Sequence, residues 1–376
     1  MIMETISNQL KSYKENNSRT KKVLCLTGGG TMGHISPHLS LLPELKKNFD
    51  KIIYIGSKDS MEESKAKEYS LPFFSIPTVK FDRKNLLKNL KIPFILSRAK
   101  KQVKQILSSN NVSLVFSKGG YVSLPVMLSA QKLKIPNILH ESDMTLGLAN
   151  KISSKKATCI LTSTEKAKNS LPKKFQKKAV TVGLPTSDKF LYLNKSQSKI
   201  KPKTNKKIMI VTGGSQGASA INNFIQDNLN WLLDEFEIYH IVGKGKINKS
   251  IKNKDYHQLE FVLSLSDYFL SSDIVISRAG ATTIFEGIKS QSNMLLIPLP
   301  KSKHSRGDQV DNAKYFSGKN LVHFILQENL NTKTFKEALE NIKLSKEFTQ
   351  KNMISFNKSQ LNNKQFADFL VKFNKS

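Results

Sequence analysis

The chain has 376 residues, 39% of them hydrophobic and 24% charged, enough for two domains with buried cores. It carries a net charge of +31, yet only five of its 60 basic residues are arginine (Arg19, Arg83, Arg98, Arg278 and Arg306). Sequence-specific nucleic-acid readers rely on arginine's planar fork, so a lysine excess spread along the chain argues against nucleic acid and for a membrane surface or a polyanionic small substrate.

Residues 1–20 are polar and lack the apolar core of a signal peptide, so they read as an extension ahead of the first domain. No apolar run reaches the length of a membrane span. Cys25 and Cys159 fit neither a disulfide framework nor a metal spacing, which suits a reducing, cytoplasmic setting.

From residue 21 the pattern becomes regular. The apolar run 23–27 is followed by GGGTMGH (28–34) and a helical stretch: strand, tight loop, helix. Residues 51–57, 112–120 and 136–142 read as further strands separated by helical segments, which implies a parallel sheet covered on both faces. A lysine- and asparagine-rich stretch then precedes a restart, IMIVTGGSQGASA (208–220), again strand, glycine loop, helix. Three later runs, EIYHIVGKG, DIVISRAG and NMLLIPLP, complete a second set of strands. The expected organisation is a domain over 21–190, a linker over 191–205 and a second domain over 206–376. The expected fold class is α/β, two Rossmann-like domains facing across a cleft.

Each glycine loop stands at the carboxyl end of its domain's first strand, where open α/β sheets bind ligands and backbone amides approach anions. Gly28, Gly30 and Gly33 match G-x-G-x-x-G, but a nicotinamide enzyme also needs an acidic residue ending the second strand. Gly56 and Ser57 stand there, Asp59 falls two residues late, and GGSQGA (213–218) does not match the fingerprint. Two phosphate-friendly loops suit instead an enzyme that joins two phosphorylated ligands. His34, at a helix start, supplies a base whose neutral form the helix dipole favours.

Six segments appear in the order and spacing of one family: GGGTMGH (28–34), KGGYVSLP (118–125), HESDMTLGLANK (140–151), GGSQGA (213–218), SRAGATTIFE (277–286) and SRGDQVDNA (305–313). From about Lys21 to the C-terminus the chain resembles the MurG family of bacterial peptidoglycan synthesis. The resemblance implies the GT-B glycosyltransferase architecture and an inverting transfer of N-acetylglucosamine from UDP-N-acetylglucosamine to the 4-hydroxyl of the muramyl sugar of lipid I, giving lipid II. It also implies a peripheral protein on the cytoplasmic side of the plasma membrane. Related enzymes of the same architecture, a UDP-N-acetylglucosamine 2-epimerase or a glycolipid synthase, are the alternatives.

By matching position, the resemblance assigns His34, Glu141 and Asp143 as rival catalytic bases. It assigns Thr31, Met32, Gly33, Asp143, Ser187, Ser215, Val262, Ala281, Thr282, Glu286, Gln309 and Asn312 to the sugar nucleotide, with Glu286 on the ribose hydroxyls. Gly119, Gly120 and Tyr121 would meet the acceptor diphosphate, and Leu86, Leu87, Leu90 and Phe94, interleaved with lysines, an anionic membrane surface. No D-x-D pair stands at a strand end, so no metal and no cofactor are expected, and leaving-group charge would fall to loop amides. Two positions depart from the family: Asp143 replaces an asparagine, and Ser187 an arginine, with Lys189 as the nearby substitute cation.

Overall fold

The computed structural model describes residues 21–80, 86–192, 200, 205–214, 216–262, 265–302 and 305–374. The N-terminal extension, most of the linker 191–205 and Ser215 lie outside the described residues, as do the side chains of Leu86 and Leu87.

Two compact units divide the chain. One ends at Thr186 and takes the chain in again from Gln360, and the other runs from Ser187 to Ser359. In the first, β1 (Val23–Gly28), β2 (Lys51–Ser57), β3 (Phe73–Ile76), β4 (Leu114–Gly119), β5 (Asn137–Glu141), β6 (Cys159–Thr162) and β7 (Ala179–Thr181) form one parallel sheet, ordered β3-β2-β1-β4-β5-β6-β7. In the second, β8 (Lys207–Thr212), β9 (Phe236–Ile241), β10 (Tyr256–Leu259), β11 (Ile274–Ser277), β12 (Met294–Leu296) and β13 (His323–Phe324) are ordered β10-β9-β8-β11-β12-β13, again all parallel. Strand for strand this is one winding used twice. Its direction reverses between β1 and β4, and between β8 and β11, and at those points a doubly wound sheet leaves a crevice for a ligand.

Period-2 alternation explains why the strands read as continuous apolar runs. In the first sheet Leu24, Leu26, Tyr54, Phe116, Ile138 and Leu161 pack on one face, while Val23, Cys25, Ile53, Val115, Leu139 and Ile160 pack on the other. Both faces are covered by helices, so neither alternate set can be polar. The first face is closed partly by the last helix, Asn363–Asn374, whose Phe366, Phe369, Leu370 and Phe373 recur at helical spacing and are buried.

The expected bounds gave the whole of 206–376 to the second domain, although the resemblance also implied that the helical stretch from about Ser345 crosses back to the first; the last helix belongs to the first unit. The long helix Thr332–Lys358, started by a capping box at Asn331, belongs to the second unit. The chain then returns, and Asn363–Asn374 packs on the first unit against the helix Met32–Asn48. One backbone and one side-chain hydrogen bond fix the return: Leu361 N–H donates to Val182 O at 3.0 Å, and Asn363 Nδ2 donates to Thr186 O at 2.8 Å.

Candidate functional site

In the first unit the switch point brings three loops together. β1 ends at Gly28 beside the end of β4, with Gly28 in register with Gly119 across a local irregularity. Gly30, at φ +86°, lies so close to Tyr121 that a Cβ there would stand 2.9 Å from its ring. Gly119 and Gly120 adopt φ of +91° and +83°; a Cβ on Gly120 would strike Gly29 O and come within 3.3 Å of His34 Nδ1. Side chains at these two positions would be strained and would fill the crevice, which is the physical reason for the paired glycines. Thr31, Met32, Gly33, His34, Gly119, Gly120 and Tyr121 therefore form one cluster.

His34 is oriented by its backbone neighbours. Its Nδ1 lies 2.9 Å from Gly29 O and 3.2 Å from Thr31 Oγ1. A carbonyl only accepts, so Nδ1 carries the ring proton and Nε2 keeps the lone pair of a base. Burial lowers its pKa below the usual histidine value; Asp143 opposes that shift and the Lys118 ammonium reinforces it. The imidazole is thereby kept neutral and competent to accept a proton.

The other two candidate bases differ from each other. Glu141 is buried and fully engaged: Oε1 accepts from the N–H groups of Ser142 (2.9 Å) and Asp143 (3.1 Å), and Oε2 from Gly147 N–H (3.0 Å) and Asn150 Nδ2 (2.8 Å). A carboxylate with four donors organises the loop that carries them. Asp143 is half-buried at the tip of that loop and acts on His34 electrostatically.

Three contributors went unread in the sequence. Asn150 packs its amide against Gly119, 2.6 Å from where a Cβ would be. Lys118 is 1% exposed, and burial pulls its ammonium down to about 7 against the attraction of Glu141 and Asp143. Glu62, also buried, bonds Ser57 N and Oγ and fills the space beside Gly29 and Gly56. It thus closes the groove between β1 and β2 in which a dinucleotide ribose would lie. A buried glutamate at helix position two carries no pattern that announces this.

In the second unit β8 and β11 stand side by side, Thr212 opposite Ser277, so the loops that follow emerge together. Gly214 and Gly217 take φ of +80° and +66°, and Gly217 N–H closes a turn on Gly214 O at 2.9 Å. Ala281 and Thr282 open the helix Ala281–Lys289, whose N-cap is Gly280. Glu286 follows in the second turn, half-buried, and desolvation pushes its carboxyl up to about 7. Asn312 is buried and donates to Ala279 O at 3.1 Å, which braces the turn ahead of that helix rather than presenting an amide outward. Gln309 Oε1 accepts from Leu299 N–H at 2.9 Å. Val262 is half-buried after β10, next to Phe261, which is 52% exposed.

Ser187 Oγ accepts from Lys189 N–H at 3.3 Å, the start of a short helix. Lys189, the nearby cation, has its ammonium 3.5 Å from Asp267 Oδ2.

Leu90 and Phe94 are each 76% exposed, at the end of a 3-10 turn and in the first turn of the helix Ile92–Ser109, whose opposite face buries Ala99, Val103 and Leu107. Leu148 and Ile152, four residues apart on the helix Leu148–Ser153, add an exposed apolar pair that the sequence reading did not single out.

Residues 24–162 match the model of the glycosyltransferase family 28 N-terminal domain, and residues 208–370 that of its C-terminal domain. A protein of Clostridium tetani named UDP-N-acetylglucosamine–N-acetylmuramyl-(pentapeptide) pyrophosphoryl-undecaprenol N-acetylglucosamine transferase is 39% identical over 337 residues, covering 89% of this chain and 93% of that protein. One of the same name from Staphylococcus carnosus is also 39% identical, over 88% of this chain and 91% of the relative. Among solved structures, MurG of Acinetobacter baumannii superposes with a TM-score of 0.69 over 93% of this chain and 98% of that one, at 20% identity. The calicheamicin glycosyltransferase CalG4 does so at 0.66 and 12%, over 93% and 97%. These two are similar in fold. The matched domains span most of the chain, and it belongs to glycosyltransferase family 28 and, within it, to the MurG family.

Proposed function

We propose that the chain moves N-acetylglucosamine from UDP-N-acetylglucosamine to the 4-hydroxyl of the muramyl sugar of lipid I, forming lipid II for peptidoglycan synthesis. The observation that carries this reading is the 39% identity to the Clostridium tetani transferase along nine-tenths of the chain. Groups in each unit suited to such a transfer support it.

The first unit takes the acceptor. Amides of the Gly119–Tyr121 loop meet its diphosphate, and the sugar 4-hydroxyl lies against His34. As the hydroxyl oxygen attacks the anomeric carbon, its proton passes to His34 Nε2. The bond from that carbon to the β-phosphate oxygen breaks, and the electron pair leaves with UDP. Attack from the face opposite the leaving group inverts the configuration. Negative charge grows on the diphosphate, and the amides of Gly214 and Gly217 and of the helix beginning at Ala281 stabilise it. Glu286 accepts from both ribose hydroxyls, while Asn312 and Gln309 hold the loops that frame the donor sugar. Glu141 shapes the acceptor loop, and Asp143 partners the imidazolium that forms.

The lipid tail calls for a membrane surface. No described helix is long and apolar enough to cross a bilayer, and the exposed Leu90 and Phe94 beside Lys91 and Arg98 suit peripheral docking on anionic headgroups of the cytoplasmic leaflet.

Incubation with radiolabelled UDP-N-acetylglucosamine and a short-chain lipid I analogue tests the reading. A lipid-linked β-disaccharide is expected. Free N-acetylmannosamine without lipid product would establish the epimerase alternative instead, and label on diacylglycerol the glycolipid synthase.

A further inference from the structure

Lys118 occupies the next-to-last position of β4 and is almost wholly enclosed, although the proposed chemistry gives it no task. Its Nζ donates to His140 Nδ1 and to Ser142 Oγ, each at 2.7 Å. His140 Nε2 is 2.9 Å from Gly183 O, an acceptor only, so Nε2 carries the ring proton and Nδ1 accepts from the lysine. One end of this buried path is the acceptor loop, since Ser142 immediately precedes Asp143. The other end is the run 182–186, by which the chain leaves the first unit and against which it returns. Gln360 packs into the space a side chain on Gly183 would need, Leu361 N–H bonds Val182 O, and Phe366 sets its ring 5.6 Å from His140. An apolar side chain would fill the slot without the cost of desolvating an ammonium, so a role in packing alone does not account for a lysine.

We propose, on the reading that the first unit holds the acceptor, that Lys118 is a positioning residue of the transfer reaction, tying the Ser142–Asp143 loop through His140 to the segment where the chain leaves and re-enters that unit. The ammonium also acts on His34 electrostatically, favouring its neutral form. Among the described residues the titratable groups acting on His34 are Lys118 from β4, Asp143 from the acceptor loop, Glu62 from the helix Met61–Glu68 and His38 from its own helix. Removal of the lysine leaves Asp143 and Glu62 to favour the imidazolium. His34 then titrates higher, and the acid limb of the rate profile moves to higher pH.

The test uses the full chain with Lys118→Met, Ser142→Ala and the double variant. Steady-state transfer from UDP-N-acetylglucosamine to a lipid I analogue is measured as a function of pH, and amide hydrogen exchange is followed in the free protein. Losing a charge-assisted hydrogen bond predicts about tenfold to a hundredfold lower kcat/KM for the acceptor, with the donor KM unchanged. The acid limb is expected to move upward, and exchange at Ser142, Asp143 and Gly147 to quicken. Ser142→Ala, at a half-buried position, should give a smaller fall in acceptor kcat/KM and quicker loop exchange with the acid limb in place, and add nothing to Lys118→Met. A fall in kcat alone, with both KM values and the pH limb unmoved, is what a smaller active fraction produces and overturns the proposal. Unchanged exchange in the acceptor loop also overturns it. If Lys118→Met does not fold, Ser142→Ala decides. If the wild-type chain transfers nothing to lipid I, the functional reading fails, while exchange still decides whether Lys118 holds the loop.

Discussion

Glu286→Gln tests the donor half of the mechanism. In the free protein desolvation holds the Glu286 carboxyl at about 7. Ribose hydroxyls donate to the carboxylate form, so binding lowers the pKa and the donor prefers high pH. With a free pKa of about 7 that falls on binding, affinity is expected to weaken as pH drops below 7, by up to about tenfold per pH unit while the bound carboxylate stays ionised. Glutamine lacks the charge and offers one acceptor oxygen, so the variant should bind about tenfold to a hundredfold less tightly at pH 8 and show little pH dependence. The sign of the stability effect is opposite. A carboxyl whose folded pKa is raised favours the folded state when protonated, and the folded protein loses stability as pH rises from the unfolded value through about 7. Glu286→Gln removes that cost, so the variant should melt a few degrees higher than wild type at pH 8 and equally at pH 4. Calorimetry with UDP-N-acetylglucosamine from pH 5 to 8.5, paired with thermal melts, reads both effects. A flat wild-type profile, or a variant that binds as well as wild type while melting lower, would refute the ribose role.

His34→Ala should lower kcat by about a hundredfold to ten-thousandfold with the donor Kd unchanged, as expected for loss of a general base and checked by equilibrium binding beside turnover. Glu141→Gln places an amide NH2 where two donors now converge. It should destabilise the chain by about 1–3 kcal/mol in urea titration and raise the acceptor KM, whereas a base role would leave stability untouched. Replacing both Leu90 and Phe94 with Ser should weaken partition onto anionic vesicles by about tenfold or more in sedimentation, without altering UDP binding.

Much of the fold was visible before the structure. The restart at 208, the glycine loops and the strands with covered faces all follow from apolar runs ending in small residues. The strands that escaped notice, β3, β6, β7, β10 and β13, have at most four residues, as do β11 and β12, which were read from the longer runs around them. The return of the last helix to the first unit was expected only from the resemblance; its residues show burial but not against which sheet, because the return is a property of the tertiary fold. The loops of the site were legible because backbone demands fix glycine positions. The buried carboxylate Glu62 and the buried cation Lys118 were not. In a chain with 60 basic residues one more lysine reads as surface, and only its place in the sheet shows otherwise. Glu141 looked like a base because its type and motif allow it, and only the hydrogen bonds show that its oxygens are occupied.

The most direct measurement is UDP release with a lipid I analogue and with its counterpart lacking the sugar 4-hydroxyl, by wild type and His34→Ala. Fast release only with the hydroxylated acceptor and wild-type protein, accompanied by one β-linked disaccharide per UDP, is the predicted result. Equal release with both acceptors, or full rate in His34→Ala, would contradict the assignment of the first unit's loops to an attacking hydroxyl and of His34 to its proton.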